Sequence, residues 1–248
     1  MKCPHCNQEH PDSLIECPST GKMLKRACTN KACSYFGEHI WPLEKETCPC
    51  CGQSLNTHYG HEFVDLGLSV KWATCNIGAK TPEEYGDYFA WGETSPKSNY
   101  EWYNLKYCND NNGDSFSKYN ISDNRTVLEL NDDAAHVNWG GNWRMPTDSN
   151  FHELLDKCTL ELTCMNNILG FKVTSKMNDK SIFFPFTEWH AATKWRDAGM
   201  HGYYWSSSLD VSHGNCHSAM YLFIQTSFHN NTGPICRRNG YLIRPVCP

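Results

Sequence analysis

The residues most able to do chemistry in this chain are cysteines, and they are concentrated near its start. Eight of the 15 cysteines lie in the first 51 of 248 residues. Two closely spaced pairs, Cys3/Cys6 and Cys48/Cys51, share the form Cys-Pro-x-Cys, which is typical of metal ligands. Disulfides are instead usual in exported proteins. The sequence shows no basic start followed by an apolar stretch, the pattern that would predict export. The cysteine pattern therefore predicts metal binding by a cytoplasmic protein.

One complete set of four metal ligands can be drawn from cysteines alone. Fourteen residues separate a pair of cysteines five positions apart from a Cys-Pro-x-Cys-Gly knuckle that ends at Gly52. The glycine allows a turn in which backbone N–H groups point at the thiolates. Cys50, between two ligands of the knuckle, is expected to point away from the metal. Four thiolates with no open position favour structural rather than catalytic zinc. The predicted ligands are Cys28, Cys33, Cys48 and Cys51.

The other set needs a histidine. A regular zinc ribbon would have a cysteine at position 20, where this chain has Thr20. His10 is placed to supply the missing ligand, and His5 is expected to face solvent. The alternative is a degenerate knuckle that binds no metal. The predicted ligands of this second zinc ion are Cys3, Cys6, His10 and Cys17.

The segment that carries these sets is too poor in large apolar residues to fold by burial alone. Domains this short usually need metal ions or disulfides. On its two Cys-Pro-x-Cys elements, the segment resembles the tandem zinc ribbons common in bacterial proteins, which implies a structural or adaptor role. Residues 1–60 carry six basic and six acidic side chains. A nucleic-acid partner is therefore ranked below attachment to a protein.

The rest of the chain has the composition of a folded domain. Hydrophobic residues make up 40% and aromatic residues 13% of the whole sequence, which excludes global disorder. The formal net charge is −5, all of it after residue 60. No apolar run approaches the length of a membrane span, so no membrane partner is expected. We expect a double zinc ribbon at 1–55, a polar linker at 56–61 and a second domain at 62–248.

The second domain is predicted to be an α+β domain, rich in loops, with short antiparallel strands and few helices. Thr147 is a good N-cap for a helix whose buried face carries Phe151, Leu154, Leu155 and Cys158. A shorter helix is expected at Asp132–Val137. Strands are expected at Phe63–Leu68, Val70–Asn76, Tyr88–Gly92, Phe171–Ser175, Ser181–Phe184, Tyr203–Leu209, Ala219–Gln225 and Tyr241–Val246. Core positions are expected for Trp72, Trp91, Trp139, Trp143 and Trp205.

Several sequence motifs in this domain resemble those of one bacterial family. The most specific are Val70–Ala79, Tyr85–Thr94, Trp139–Thr147, Tyr203–Ser208 and Ile243–Val246. Through these motifs, residues 61–247 resemble the "major paralogous domain" family of gut Bacteroidetes and their phages. The resemblance implies a C-type-lectin-like fold, akin to the variant found in formylglycine-generating enzymes. Some members are variable proteins of diversity-generating retroelements, which implies a variable region at about 203–247 and a place in a phage virion as an alternative to the cytoplasm.

That resemblance implies a non-enzymatic protein that binds or displays a ligand, with a protein as the expected partner. Alternation within Ala219–Gln225 predicts that Met220, Leu222 and Ile224 face the core while the residues between them face out. Outward aromatic side chains suit a binding surface, although they could instead cover a second core layer. The candidate ligand-binding residues are Asp210, His213, Asn215, His217, Tyr221, Phe223, Gln225, Phe228, His229, Asn230, Asn231, Arg238 and Tyr241.

Two other chemistries are weaker interpretations. The segment Asn142–Thr147 also resembles a word of formylglycine-generating enzymes, which use a copper-binding cysteine pair. Cys216 and Cys236 could form such a pair, but the residues that flank them in the sequence do not match that family's cysteine-containing motifs. Asp110 begins a run that imitates a calcium loop, yet the glycine and glutamate that such a loop needs are missing. The words of calcium-dependent sugar sites are also missing, which disfavours that activity.

Overall fold

A computed structural model describes most of the chain. The described residues are 3, 6–11, 14–20, 23–36, 40–42, 45–191, 194–212, 216–226 and 230–248, with only the backbone described at 189–191 and 194–198. Contacts divide the chain into two compact units, residues 1–63 with the terminal Pro248, and residues 64–247. No helix in the described part is long and apolar enough to cross a membrane.

The first four strands are very short. They are β1 (Arg26–Ala27), β2 (Ile40–Trp41), β3 (Thr57–His58) and β4 (His61–Val64). β1 pairs with β2, and β3 pairs with β4, both antiparallel. Two small buried clusters lie in the first unit, and each combines cysteines with one leucine, Leu24 or Leu55. Burial of so few aliphatic side chains stabilises this unit little.

The second unit contains the longer elements. They are β5 (Lys71–Ala73), α1 (Ala134–Trp139), α2 (Asp148–Lys157), β6 (Cys158–Met165), β7 (Ile168–Ser175), β8 (Ser181–Pro185), β9 (Thr187–Ala191), β10 (Lys194–Leu209), β11 (Ser218–Gln225), β12 (Asn231–Cys236) and β13 (Val246–Cys247). Two single turns of 3-10 helix lie at Trp102–Asn104 and Leu130–Asp132.

Antiparallel sheets dominate this unit. One sheet has the order β12-β11-β10-β9, and a second has the order β6-β7-β8. β13 pairs with β5 and so brings the end of this unit back beside the first strand that lies wholly within it. Within the described residues, two α-helices and several antiparallel sheets confirm the predicted α+β, loop-rich class.

The core of the second unit is built on aromatic side chains. Trp72, Trp91, Trp143 and Trp205 are buried, as predicted. The Trp91 Nε1–H donates to the carbonyl of Ser206 at 2.9 Å, and the Trp205 Nε1–H donates to the carbonyl of Phe89 at 2.8 Å. These bonds connect loops that are distant in sequence while burying large apolar area. The predicted core position of Trp139 was wrong. Its side chain is only partly buried and packs edge-on against Trp143.

The predicted helix after Thr147 is confirmed. The Thr147 side chain accepts from the backbone N–H of Asn150, and the Asn150 side chain accepts from the backbone N–H of Thr147 in return. This capping box satisfies N–H groups that the first turn leaves unpaired. The buried face of α2 includes Phe151 and Leu154. The shorter helix begins two residues later than predicted, because the Asp133 side chain caps it.

Several predicted strands are shorter than expected. The strand that includes Phe63 ends at Val64, where the Asp65 side chain accepts from the N–H of Gly67 and turns the chain. Gly67 has a φ of 72°, which a glycine adopts without strain. The segments Tyr88–Gly92 and Tyr241–Val246 meet in a single bridge between Phe89 and Tyr241 rather than in a regular ladder. The strands β6, β9 and β12 were not predicted.

A buried carboxylate organises the long polar stretch at 93–125. Asp132 is 2% exposed, and its carboxylate accepts from Lys106 Nζ at 2.7 Å and from the hydroxyl of Tyr119 at 2.6 Å. Lys118 and Tyr107 donate to the same carboxylate. Burial opposes ionisation, but these hydrogen bonds outweigh it and hold the pKa of Asp132 well below its usual range. One side chain thus fixes four residues of a loop that lacks regular structure.

A buried arginine also holds the same stretch in place. Arg237 is 1% exposed and donates through Nη1 to the carbonyl of Tyr119 at 2.9 Å. Its guanidinium lies 3.7 Å from the ring centre of Phe116. Burial lowers the pKa of Arg237 to about 10. The loop therefore packs on a cation that is stabilised by aromatic faces.

Candidate metal centres and binding face

The structure brings the Cys3/His10 set together. The ligand atoms of Cys3, Cys6, His10 and Cys17 all lie within 4.8 Å of one another. The Cys6 Sγ is 3.2 Å from His10 Nε2 and 3.4 Å from the Cys17 Sγ. The thiols are free, because these separations are far longer than a disulfide bond. His5 lies outside the described residues.

The all-cysteine set converges in the same way. Cys28, Cys33, Cys48 and Cys51 also lie within 4.8 Å of one another through their sulfur atoms. The Cys28–Cys51 and Cys33–Cys48 sulfurs are 3.7 Å and 3.8 Å apart. Bonds of about 2.3 Å to a tetrahedral zinc ion place two sulfurs about 3.8 Å apart. The donor set and its geometry therefore fit a metal ion.

Both centres are built on the same backbone turn. The N–H of Cys3 donates to the carbonyl of Gln8 at 2.9 Å, and that of Cys48 donates to the carbonyl of Gln53 at 2.8 Å. Asn7 and Gly52 have φ angles of 63° and 71° at the equivalent position. Asparagine tolerates this left-handed conformation better than most residues. The repeat Cys-Pro-x-Cys-Asn/Gly-Gln is the sequence signal for this duplication.

Thr20 and Cys50 lie beside the two ligand sets but are not members of them. Thr20 stands where a regular ribbon has a cysteine, and its side-chain hydrogen bond lowers the pKa of Cys17 to about 6. A more acidic thiol is more readily available as a thiolate ligand. Cys50 is exposed, outside the four-sulfur cluster, and its Sγ lies 3.3 Å from the hydroxyl of Ser34.

The second candidate site is one face of the β12-β11-β10-β9 sheet. Leu222 and Ile224 on β11 are each 1% exposed, while Tyr221 and Phe223 between them are half-buried. Helix α2 packs on β10, β11 and β12, and His152 Nε2 lies 3.1 Å from the hydroxyl of Thr232, the residue opposite Leu222. The helix therefore covers the Leu222 face and leaves the Tyr221 face uncovered by it. The predicted alternation is confirmed for these four residues of β11. Met220 was also predicted to face the core but is half-buried, while its neighbour Ala219 is 0% exposed.

Aromatic rings form a continuous cluster on this face, in which Tyr203 is 7% exposed and Trp205, opposite Tyr221, is 0% exposed. His201 and Phe223 stack with ring centres 5.3 Å apart, and Tyr203 lies 5.2 Å from Phe223. Tyr203 also stacks on Tyr221 at 6.3 Å, with the two rings only 10° from parallel. Tyr241 lies beneath, 5.4 Å from Tyr221. The cross-strand register pairs Tyr203 with Phe223 and so places these rings side by side.

Two predicted contact residues are not exposed. Tyr241 is 1% exposed, because it packs against both Tyr203 and Trp205 in the core. Asp210 is 5% exposed, and its carboxylate accepts from the backbone N–H and the hydroxyl of Ser212. This corrects the expectation that either side chain faces a partner. Tyr241 instead packs against the aromatic cluster from the core.

Other predicted contact residues lie beside the aromatic cluster or away from it. His217 and Arg238 are half-buried and pack on Trp102, and Arg238 also pairs with Glu101 at 2.6 Å. Gln225 lies next to Asn230, whose side-chain oxygen accepts from its backbone N–H at 2.8 Å. Asn231 is exposed. The remaining candidates lie outside the described residues: His213, Asn215, Phe228 and His229.

The sequence analysis missed part of this face. His201 and Tyr203 contribute rings from β10, and Gly233 lies opposite Tyr221 on β12. A glycine there leaves one side of the Tyr221 ring without a neighbouring side chain. The alternation of His201, Tyr203 and Trp205 along one strand is the signal that could have identified the first two.

The cysteine pair of the enzyme alternative has no sign of activation. Burial raises the pKa of both Cys216 and Cys236, so both thiols remain protonated near neutral pH. The Cys236 Sγ lies 3.6 Å from Nδ1 of His217. Burial also lowers the pKa of His217, which weakens it as a cationic partner for a thiolate.

In the loop that imitates a calcium site, the first carboxylate, Asp110, accepts hydrogen bonds from the loop's own backbone. Asp110 Oδ1 accepts from the backbone N–H groups of Asn112, Gly113 and Asp114. The hydrogen bond from Asn112, with the others, lowers the pKa of Asp110. This arrangement is a local turn stabilised by an aspartate side chain.

Comparison with protein-family models, with curated proteins and with solved structures found no match.

Proposed function

We propose that this protein is a non-enzymatic ligand-binding protein whose partner is a protein that contacts the aromatic face of the β12-β11-β10-β9 sheet. The observation that carries this proposal is the contrast between adjacent residues of β11. Leu222 and Ile224 are buried beneath α2, whereas Tyr221 and Phe223 remain half-exposed on the other face. Half-exposed aromatic rings on a rigid frame give large contact area at small entropic cost.

The orientation of the rings favours a protein over a sugar or a nucleic-acid base. Sugars and bases stack on open ring faces. Here Tyr203 and Tyr221 are nearly parallel, as are His201 and Phe223, so their faces are turned towards each other. Tyr203 is only 7% exposed, so the cluster offers a partner mainly the half-exposed rings of Tyr221 and Phe223. These suit the mixed apolar and hydrogen-bonding surface of a protein.

The fold that we infer for residues 64–247 is C-type-lectin-like, and the chain is the variable protein of a diversity-generating retroelement. Residues within the family's sequence motifs are buried, which supports this inference. In one motif Tyr204 and Trp205 are each 0% exposed, and in another so are Arg244 and Val246. The segment between the two motifs contains the half-exposed residues of β11 and β12. A fixed frame with replaceable outward residues is the arrangement that a variable protein needs.

Zinc is the ion that we assign to both metal centres. Donor sets of four thiolates, or of three thiolates and one imidazole, are typical of structural zinc when no position is left open. The role that follows for residues 1–63 is attachment of the binding domain to another component. The segment carries no excess of basic residues that would attract nucleic acid.

Partner capture tests the binding proposal. The immobilised full chain is exposed to an extract of the cells that carry its gene, and retained proteins are identified by mass spectrometry. The variant with Tyr221→Ser and Phe223→Ser should lose the partner. A matched control replaces two more exposed apolar residues elsewhere, Tyr103→Ser at 66% and Ile121→Ser at 67% exposure, and should keep it.

The two variants separate binding from folding. Both should unfold cooperatively, and circular dichroism checks this. Equal capture by the two variants would contradict the assignment of this face. Sequencing of the gene's surroundings tests the retroelement inference separately, because it predicts a reverse-transcriptase gene and a near-copy of codons 203–247 that differs at adenines.

A further inference from the structure

The hairpin of β6 and β7 leaves one long strand edge without a partner. The strands are joined by a two-residue turn at Asn166 and Asn167, whose φ angles are 47° and 68°. These angles are those of the tight turn that matches the twist of paired strands. In the described part of the chain, β6 pairs with β7 alone and forms the edge of the β6-β7-β8 sheet.

The hydrogen-bond pattern identifies which groups of β6 point outward. The Leu169 carbonyl accepts from Phe186, and the Ser175 N–H donates to Lys180, so these odd-numbered residues of β7 bond away from β6. Alternation then directs the backbone groups of their β6 partners away from β7. Those outward residues are Cys158, Leu160, Leu162 and Cys164. The Cys158 N–H donates to the Leu154 carbonyl at the end of α2. No backbone hydrogen bond from the described residues reaches the outer side of Leu160, Leu162 or Cys164.

The same residues form an apolar face that runs from the core to solvent. Leu162 lies opposite Phe171, and Cys164 lies opposite Leu169. Phe171 is only 6% exposed, but towards the turn Leu162 reaches 49% and Leu169 reaches 47%. Cys164 is exposed as well. An apolar strip beside unpaired backbone groups is a surface suited to pairing with another strand.

Another edge strand is protected. β12 is also an edge strand, and Pro234 lies in its middle, where it offers no backbone N–H. β6 contains no proline and no lysine. Its one charge, Glu161, lies on the opposite face from the leucines and directly across from Lys172 on β7. The devices that usually prevent edge pairing are therefore missing from β6.

We propose that β6 is a dimerisation edge, at which two copies of this chain pair antiparallel to form one continuous sheet. The favoured centre is Leu162, which then lies opposite its own copy, with Leu160 opposite the Cys164 of the partner chain. Pairing centred on Glu161 would place two carboxylates directly opposite each other, which is destabilising. The centre at Leu162 instead places Glu161 opposite a threonine. Such a contact is two-fold symmetric and closed, so it stops at two copies.

A second copy satisfies what this edge requires. The occupant must be an unpaired antiparallel strand with apolar residues two positions apart and no blocking charge on that face. β6 is itself such a strand, and its single carboxylate is already neutralised by Lys172 within each hairpin. Dimerisation would bury Leu162 and Leu169 of both chains. This proposal does not depend on the proposed binding face, which lies on a different sheet.

Sedimentation velocity of the full chain over a range of concentrations tests the proposal. The wild type should show a monomer–dimer equilibrium. Leu162→Pro removes only an outward N–H, so it should weaken association by about tenfold or more while keeping the β6–β7 ladder. Leu162→Lys should do the same through edge charge if the proline variant folds poorly. Val137→Lys, on the surface of α1 with Val137 at 50% exposure, is the matched control and should dimerise normally.

Cross-linking tests the register. Leu162→Cys should form a covalent dimer under mild oxidation above the wild-type level, because paired residues across such strands lie within disulfide reach. Val137→Cys should not. A wild-type chain that stays monomeric up to its solubility limit would overturn the proposal, whatever other strand β6 accepts. Dimerisation that both Leu162→Pro and Leu162→Lys leave unchanged would overturn it as well.

Discussion

The two units of this chain are held together by different forces. Residues 1–63 contain two clusters in which cysteines surround a single leucine, and eight cysteine and histidine ligands converge in two groups. Residues 64–247 instead contain one large core, and five of their tryptophans are buried. The difference shows how domain size decides the source of stability, because a segment too short to bury a core depends on metal ligands.

The same contrast explains how each unit tolerates sequence change. In the small unit, replacing any of the eight converging side chains would remove a ligand from a group that could hold a metal ion. In the large unit, a buried frame that includes Trp205 and Arg244 fixes the backbone, so outward residues such as Tyr221 can change at smaller cost. Metal removal, core truncation and surface truncation should therefore affect the two units selectively.

Metal removal should have the largest effect. Structural zinc contributes about 10–16 kcal/mol in small zinc-binding peptides, so a chelator should unfold residues 1–63 and leave residues 64–247 folded. Trp41 is the only tryptophan before residue 64 and packs against Tyr35, which makes its fluorescence a reporter for this unit. Elemental analysis should give two zinc ions per chain, one for each cluster. A content near one would remove the Cys3/His10 site, and zero would remove both.

Core truncation should have the reverse selectivity. Trp205→Ala removes a 0% exposed side chain and its hydrogen bond to Phe89. Large aromatic truncations of this kind cost about 3–5 kcal/mol. The variant should unfold at lower denaturant concentration while its metal content stays unchanged. Loss of metal from this variant would contradict the separate origins of stability.

Removal of the buried carboxylate should have a smaller, pH-dependent effect. Asp132→Asn loses charge-assisted hydrogen bonds to Lys106 and Lys118, each worth about 1.5–3 kcal/mol in buried sites and less where the lysine is exposed. The folded-state pKa of Asp132 is depressed below 3.8, so its stabilisation is complete above that pH and is lost as the pH falls below it.

Chemical denaturation at several pH values checks the Asp132 prediction. The wild type should lose stability between pH 5 and more acidic values faster than Asp132→Asn does, so the two curves should converge in acid. A constant difference between them at every pH would show that ionisation of Asp132 is not the source of its effect.

The smallest effect should come from the spare thiol. Cys50 is exposed and its sulfur contacts the hydroxyl of Ser34, so Cys50→Ser should change stability by about 0.5 kcal/mol or less. Cys51→Ser, one residue later, should remove a metal ligand. Metal content of the two variants gives the comparison, and equal loss in both would show that Cys50 is a ligand.

Local patterns in the sequence predicted the features that depend on local spacing. Both ligand sets and the helix cap at Thr147 follow from residues close together in the chain. The burial of Tyr241 could not be predicted in this way, because it depends on Tyr203 and Trp205 from a distant strand. The order of the polar stretch at 93–125 likewise comes from Asp132 and Arg237, which contact it from outside.

Unrecognised strands have a related cause. β6 follows α2 without an intervening turn, and Cys158 fits the apolar spacing of the helix as well as the start of the strand. Periodicity alone does not separate the two interpretations at such a junction. Pairing with β7 decides it, since Cys158 lies opposite Ser175 in the ladder.

We propose that β11 has one face that maintains the fold and one face that contacts a partner. The most direct test of this proposal compares the free energy of unfolding of two variants by chemical denaturation. Leu222→Ala, at a 1% exposed position, should cost about 2–5 kcal/mol. Tyr221→Ser combined with Phe223→Ser should cost less than that single truncation. A larger loss from the double variant would mean that its rings belong to a second core layer, and the binding face would have to be abandoned.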